Sequence, residues 1–153
     1  MVQRHRMNLV AGSGRVTRLA AALAAFGFAS LAVFQAALAV GAPWGHAAWG
    51  GADAHLSAGQ RGASAVAALI YVAAALIVLC RARIIWHSRS NHALFRRGTW
   101  FFAVAMAIGA LPNLASHSRW ENLILGPLAL VLAALCAVVA ARATTAHRAR
   151  SSQ

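Results

Sequence analysis

The feature that most constrains this chain is a run of 22 residues, Leu19 to Val40, that contains no charged side chain. As an α-helix rising about 1.5 Å per residue, this run would be about 33 Å long, enough to cross the roughly 30 Å hydrocarbon core of a bilayer. Uncharged apolar runs of about 18 residues or more are typical of membrane spans. The sequence therefore predicts that Leu19–Val40 crosses a membrane.

Three further apolar segments follow, and none of them contains a charged residue: Ala63–Cys80, Thr99–Leu114 and Leu123–Ala141. The third is the shortest, and as a helix it would reach only about 24 Å, so it needs long flanking side chains or a locally thinned bilayer. The pattern predicts an all-α fold, an integral membrane bundle of four transmembrane helices arranged as two helical hairpins. We expect a basic segment at 1–18, a transmembrane domain at 19–141 with spans near 19–40, 63–80, 99–114 and 123–141, and a basic tail at 142–153.

Composition and charge agree with this interpretation. Charged residues make up 10% of the chain and hydrophobic residues 61%, whereas soluble domains are about 25% charged. All 14 basic residues are arginines, and 12 of them precede the first segment, separate the second from the third, or follow the fourth. Because cytoplasmic flanks carry such an excess, we predict a bacterial inner-membrane protein with both termini in the cytoplasm. The arginines form no continuous stripe, so we expect no nucleic-acid partner.

The first segment has one alternative interpretation. Arginines, an apolar run and the sequence Ala37-Leu38-Ala39 together resemble a signal peptide with its cleavage site. Cleavage there would leave three spans. The apolar run is longer than the roughly 7 to 15 residues of a signal-peptide core, so we favour an uncleaved first helix.

The predicted spans contain no Asp, Glu, Lys, Arg or His. Proton-coupled carriers and ion pumps usually need such a group, and haem between helices needs axial His, Met or Cys. Cys80 and Cys136 lack CxxC spacing and are interpreted as packing residues. No nucleophile, base and orienting group converge in the sequence. We therefore expect no enzyme and no cofactor, and predict a structural or accessory membrane component.

Polar and aromatic residues near the predicted outer ends of the spans indicate an alternative function. An outward-facing polar pocket would serve a small transporter or channel for a neutral or weakly polar solute. The competing interpretation is that the polar groups only form hydrogen bonds between helices and that the tryptophans anchor the chain at the membrane surface. The candidate pocket residues are Gln35, Trp44, His46, Tyr71 and Asn113.

The predicted outer loops also hold candidate metal ligands. His46, Asp53, His55 and His117 offer nitrogen and oxygen donors suited to a divalent metal. Their spacing matches no established metal motif, and histidines beside tryptophans are common at membrane surfaces. Whether a metal binds there stays open.

The predicted cytoplasmic loop between the second and third segments is basic and partly apolar. Its arginines would attract anionic lipid at about 1 kcal/mol each, although the orientation rule alone also explains their position. The lipid bilayer is therefore the expected partner of this loop. The arginines concerned are Arg81, Arg83, Arg89, Arg96 and Arg97.

Small residues indicate tight helix packing, either within one chain or in a homo-oligomer or larger complex, because close approach drives association of helices in lipid. In the fourth segment, Ala129, Ala133, Ala137 and Ala141 recur at every fourth position. In the third segment, Ala105 and Gly109 form a pair of the same spacing.

Several short motifs accompany these segments: GAPWG at Gly41–Gly45, WGG at Trp49–Gly51, RRGTW at Arg96–Trp100, NLAS at Asn113–Ser116, and ENLILGPLAL from Glu121. With them the chain resembles a group of small uncharacterised four-span bacterial integral membrane proteins. The resemblance covers nearly all of Leu19 to Arg142. It implies the four-helix fold and assigns no catalytic residue.

Overall fold

Four long α-helices form a bundle in the part of the chain that the structure describes. A computed structural model describes the backbone of residues 2–86 and 93–151 and the side chains of residues 14–86 and 93–142. The α1 helix packs most extensively against α2, and α3 packs most extensively against α4, so the helices form two hairpins. The two hairpins contact each other where α1 meets α4 and where α2 meets α3. The predicted all-α four-helix bundle is confirmed. The helices are α1 (Val2–Ala39), α2 (Ala58–Arg81), α3 (Ala93–Leu114) and α4 (Gly126–Ser151), with a short π-helical segment (Glu121–Leu125) leading into α4.

The described residues include four helical stretches that are long and apolar enough to cross a membrane. The chain is therefore a multi-pass membrane protein. Large apolar side chains are exposed along these stretches, among them Phe26, Leu69 and Phe101. A surface of this kind is expected where helices face lipid and is unusual in a soluble monomer. The stretches are Gly14–Ala39, Ala58–Arg81, Ala93–Leu114 and Glu121–Arg142.

The α1, α2 and α3 helices begin before the predicted spans do. The α3 helix begins at Ala93 and has 22 residues, so it is about 33 Å long and needs no thinning of the bilayer. The prediction was too short because it began the span after the charges at Arg96 and Arg97. A charged side chain does not end a helix, since the backbone hydrogen bonds continue past it.

The core runs along one face of each helix. On α1 the fully buried residues include Ala21, Ala24, Phe28 and Leu38, at the spacings of three, four and multiples of seven that place side chains on one helical face. The Phe28 ring lies at the centre, 6.1 Å from the ring of Tyr71 on α2 and 5.9 Å from that of Phe102 on α3. One aromatic side chain thus connects three helices.

The predicted alanine row on α4 is only partly buried. Ala129 and Ala133 lie in the core, Ala137 is half-buried and Ala141 is exposed. A row of every fourth residue turns by about 40° per step around a helix of 3.6 residues per turn, so it leaves the buried face. In the second half of the membrane-spanning part of α4, the buried residues are instead Cys136, Val139 and Ala140.

Close contact between α1 and α4 occurs at Gly27, a glycine that the small-residue pattern did not indicate. A Cβ atom added at Gly27 on α1 would lie 2.7 Å from Leu132 Cδ2 on α4, whereas one added at Gly109 would meet no atom within 4 Å. Gly27 therefore permits the contact between α1 and α4. The Ala105–Gly109 pair does not mediate close packing among the described residues.

Candidate functional site

Two connections at the same end of the bundle fold onto each other, and we call them the cap: residues 40–57, between α1 and α2, and residues 115–121, between α3 and α4. The first connection contains two short 3-10 turns, Gly45–Ala47 and Trp49–Gly51. The Gly45 N–H donates to the Ala54 carbonyl at 2.9 Å, which closes this connection on itself. The stretch is thus a folded element with its own hydrogen bonds.

Glu121 joins the two connections of the cap. Its side chain is only 7% exposed. The Gly50 N–H lies 3.2 Å from each of its two carboxylate oxygens, and the Ser116 hydroxyl donates to one of them. A buried carboxylate needs such donors because removing its charge from water is costly. The acid therefore holds the first connection against the second.

Ser118 makes a second joint between the connections. Its hydroxyl donates to the carbonyl of His46 at 2.7 Å. Gly51 lies against it, since a Cβ added at Gly51 would be 2.8 Å from Ser118 Cβ. Gly50 and Gly51 have φ angles of 84° and 74°, a region that glycine enters without steric cost. The sequence Gly50-Gly51 thus lets the turn approach Glu121 and Ser118.

Trp49 fixes the cap to α2. Its indole N–H donates to the hydroxyl of Ser64 at 3.1 Å, and Ser64 is fully buried. The φ angle of Trp49 is 53°, which is unfavourable for a residue with a side chain. The contact with Ser64 helps to hold the residue in this conformation.

The start of α2 is bound to the end of α1. The Ser57 and Gln60 side chains form a reciprocal capping box at the first turn of α2, an arrangement that satisfies otherwise unpaired helix donors. The Arg61 Nε donates to the carbonyl of Ala39 at 2.9 Å. This hydrogen bond satisfies a carbonyl in the last turn of α1, where intrahelical donors are lacking.

Beside the cap, between α1 and the π-helical segment, lies a cavity of about 500 Å³. The rings of Phe34 and Trp44 stack within it, with centroids 6.5 Å apart and planes 3° apart. His46 supplies an imidazole, and its Nδ1 lies 3.1 Å from the Gly51 carbonyl oxygen. The walls are mainly apolar and aromatic. The lining residues are Phe34, Pro43, Trp44, His46, Ala47, Trp120, Ile124 and Leu125.

The structure brings two of the five predicted pocket residues to this cavity. Trp44 and His46 line it, whereas Gln35, Tyr71 and Asn113 do not. Tyr71 packs against Phe28 in the core. Asn113 is half-buried near the end of α3. Gln35 is half-buried on α1, and its Oε1 is buried without a hydrogen-bond partner among the described residues.

The candidate metal ligands are spread over the cap. No group of three His, Cys, Asp or Glu side chains suited to a metal ion occurs within residues 14–86 and 93–142. Asp53, His55 and His117 are exposed, and His46 is directed at the Gly51 carbonyl. The structure does not gather these four residues into a site.

Four of the five arginines predicted to face lipid are described, and they lie at the end of the bundle opposite the cap. Arg96 and Arg97 are exposed, and Arg83 is half-buried. Arg81 differs from the prediction, because it is the last residue of α2 and only 4% exposed, so it packs inside the bundle. Arg89 lies outside the described residues.

Sequence reasoning missed the residues that organise the cap, namely Glu121, Ser116, Ser118 and Gly50. One signal was present, since Glu121 is one of only two acids in the chain and lies two residues before an apolar segment. An ionisable side chain at the edge of an apolar segment usually pairs with another polar group. Nothing in the sequence identifies that partner as a backbone N–H in the other connection.

A comparison with protein-family models, curated proteins and solved structures finds no match to this chain.

Proposed function

We propose that the chain is a non-enzymatic, multi-pass component of a bacterial inner membrane and acts as a structural or accessory subunit. The observation that carries the proposal is the hydrogen bonding of Glu121 to Gly50 and Ser116. It unites two connections that belong to different hairpins into one surface with a defined shape. A preformed surface of this kind suits docking, because little conformational freedom is lost on binding.

The proposed orientation has the cap outside and both termini in the cytoplasm. Arg61 and Arg119 are the only arginines in the two cap-side connections and the adjoining first turn of α2. The opposite end carries exposed Arg96, Arg97 and Arg142. An excess of arginine on one side supports a cytoplasmic location for that side.

We further propose that the resemblance to small four-span bacterial membrane proteins reflects a shared fold. The GAPWG motif supports this view through its position in the cap. Trp44 of the motif stacks on Phe34, and Gly45 donates to Ala54. A Cβ added at Gly45 would lie 2.2 Å from the Asp53 carbonyl oxygen, so the motif's second glycine meets a steric requirement.

A small transporter or channel for a neutral or weakly polar solute is the second candidate function. The cavity of about 500 Å³ beside the cap favours it, since solute sites are concave and contain few polar groups. In this function His46 would be the principal polar contact. Solute flux into vesicles should then fall when His46 is replaced by Ala.

Native mass spectrometry of the tagged chain, extracted gently from its own membrane, tests the first proposal. We expect a stoichiometric protein partner with the wild type. Glu121→Ala should lose that partner because it disrupts the cap, while Asp53→Ala should retain it, because Asp53 is exposed. A homogeneous monomer or homo-oligomer that retains a small molecule would contradict the accessory role and favour transport.

A further inference from the structure

We propose that the cavity beside the cap binds an acyl chain of a membrane phospholipid. This inference goes beyond the proposed function, because a bound lipid is compatible with any protein partner and with none. It rests on the chemistry of the cavity walls, on the continuity of its mouth with the lipid-facing surface, and on the indole groups at its rim.

The walls of the cavity suit hydrocarbon. Phe34, Ile124 and Leu125 contribute apolar side chains, and none of the eight described lining residues carries a carboxylate, ammonium or guanidinium group. Its volume of about 500 Å³ lies within the range of ligand sites. Water fills an apolar cavity poorly, because each buried water molecule needs polar partners. A hydrocarbon chain is therefore the favoured occupant.

The cavity continues the surface that faces lipid. Ile124 and Trp120 are 48% and 57% exposed, so the cavity is open on the side of the π-helical segment. Leu123, next to Ile124 in the chain, and Val33, next to the lining residue Phe34, are among the most exposed apolar side chains of the membrane-spanning stretches. Lipid chains therefore surround the mouth of the cavity, and one can enter without crossing water.

Trp44 and Trp120 give the cavity a polar rim. Both are exposed by more than half, and tryptophan prefers the level of the lipid headgroups, where its ring is in hydrocarbon and its N–H reaches an acceptor. The ester carbonyl oxygens of a phospholipid are such acceptors. The Nδ1 of His46 lies 3.1 Å from the Gly51 carbonyl oxygen, so one ring nitrogen of this side chain is engaged by the backbone of the cap. The combination matches a phospholipid whose chain is inserted and whose ester region lies at the indoles.

Photo-crosslinking of the full chain in vesicles of phosphatidylethanolamine and phosphatidylglycerol tests the proposal. A trace of phosphatidylglycerol with a diazirine on its acyl chain serves as the probe, and peptide mass spectrometry locates the adducts. We expect adducts on residues 43–47 and 120–125 to exceed those at the exposed positions Phe26 and Val131 by about tenfold.

Two variants fill the cavity, and one matched variant does not. Ala47→Phe and Ile124→Trp should each lower the adducts on Trp120 and Leu125 by about tenfold. Ala134→Phe adds the same ring as Ala47→Phe on an exposed face of α4 and should leave them unchanged. Ile124 is partly exposed, so its replacement keeps the test valid if Ala47→Phe fails to fold.

Two results would overturn the proposal. The first is a lack of preference for the cavity: adducts form there at the same level as at Phe26 and Val131, or the filling variants leave the adducts unchanged. Either outcome would mean that the probe only makes ordinary contact with the surrounding lipid. The other is displacement of the probe by a long-chain polyprenol but not by unlabelled phosphatidylglycerol. In that case the occupant is an isoprenoid.

Discussion

The carboxylate of Glu121 accepts a hydrogen bond from the backbone N–H of Gly50, which lies 71 residues earlier in the chain. Gly50 belongs to the connection of the α1–α2 hairpin, and Glu121 is the last residue of the connection of the α3–α4 hairpin. One buried acid thus ties the two hairpins together at the cap. The consequences of this contact and of the helix packing below it can be measured.

Replacing Glu121 by Gln should destabilise the protein by about 1.5 to 3 kcal/mol, the usual worth of hydrogen bonds to a charged group. The new amide nitrogen cannot accept hydrogen bonds, so at most one acceptor oxygen is left for Gly50 and Ser116. Thermal or denaturant unfolding in detergent micelles would measure the change. Asp53→Asn is the matched control and should stay within about 0.5 kcal/mol, because Asp53 is exposed. Equal effects of the two substitutions would argue against a special role for Glu121.

Gly51→Ala should destabilise the cap more than Gly50→Ala. Both positions have positive φ, which costs a residue with a Cβ roughly 1 to 2 kcal/mol. Only at Gly51 does the added Cβ also meet neighbours, at 2.8 Å from Ser118 Cβ and 3.0 Å from the His46 carbonyl oxygen. The extra crowding should add about 1 to 3 kcal/mol. Measuring the free energies of unfolding of both variants tests this difference. Indistinguishable values would mean that the two connections are not in contact.

Gly27→Ala should weaken the packing of α1 on α4. The added methyl group would lie 2.7 Å from Leu132 Cδ2, and crowding of this kind costs about 1 to 3 kcal/mol. Gly109→Ala adds the same group in open space and should be neutral or stabilise α3 by up to roughly 1 kcal/mol. Unfolding by titration with a denaturing detergent would compare the two. A larger loss at Gly109 would contradict the described packing.

Gln35→Met should stabilise the protein by about 1 kcal/mol, because the buried Oε1 of Gln35 has no partner among the described residues. Methionine keeps a similar length and removes the unsatisfied oxygen. Gln60→Met should have the opposite effect, a loss of about 0.5 to 2 kcal/mol, because Gln60 completes the capping box with Ser57. Melting temperatures of both variants would show the difference in sign. A loss at Gln35 would mean that its amide has a bound polar partner, as the predicted solute pocket requires.

The four spans were predictable because bilayer thickness sets a length that apolar runs such as Leu19–Val40 satisfy. The ends of the helices were not, as Arg96 and Arg97 illustrate, because a helix can begin outside the hydrocarbon, where charged side chains stay in contact with water. The buried face of α4 was predicted only in part. A row of every fourth residue is a poor guide when 3.6 residues make a turn.

The cap was the least predictable part of the molecule. Nothing in the sequence pairs the indole N–H of Trp49 with the hydroxyl of Ser64 on α2. Trp44 and His46 do share a cavity, but Phe34 of α1 and residues of the π-helical segment also line it. Contacts between residues as distant as Gly50 and Glu121 depend on how the hairpins pack. Local residue preferences do not contain that information.

Hydrogen–deuterium exchange of residues 45–52 tests most directly the claim that Glu121 makes the two connections one surface. The full chain, the Glu121→Gln variant and the Asp53→Asn variant would be compared in lipid nanodiscs. The account predicts slow exchange in the wild type and in Asp53→Asn, and exchange faster by at least about tenfold in Glu121→Gln, because opening of the Gly50 N–H becomes easier by about 1.4 kcal/mol or more. Equal exchange in all three proteins would contradict it.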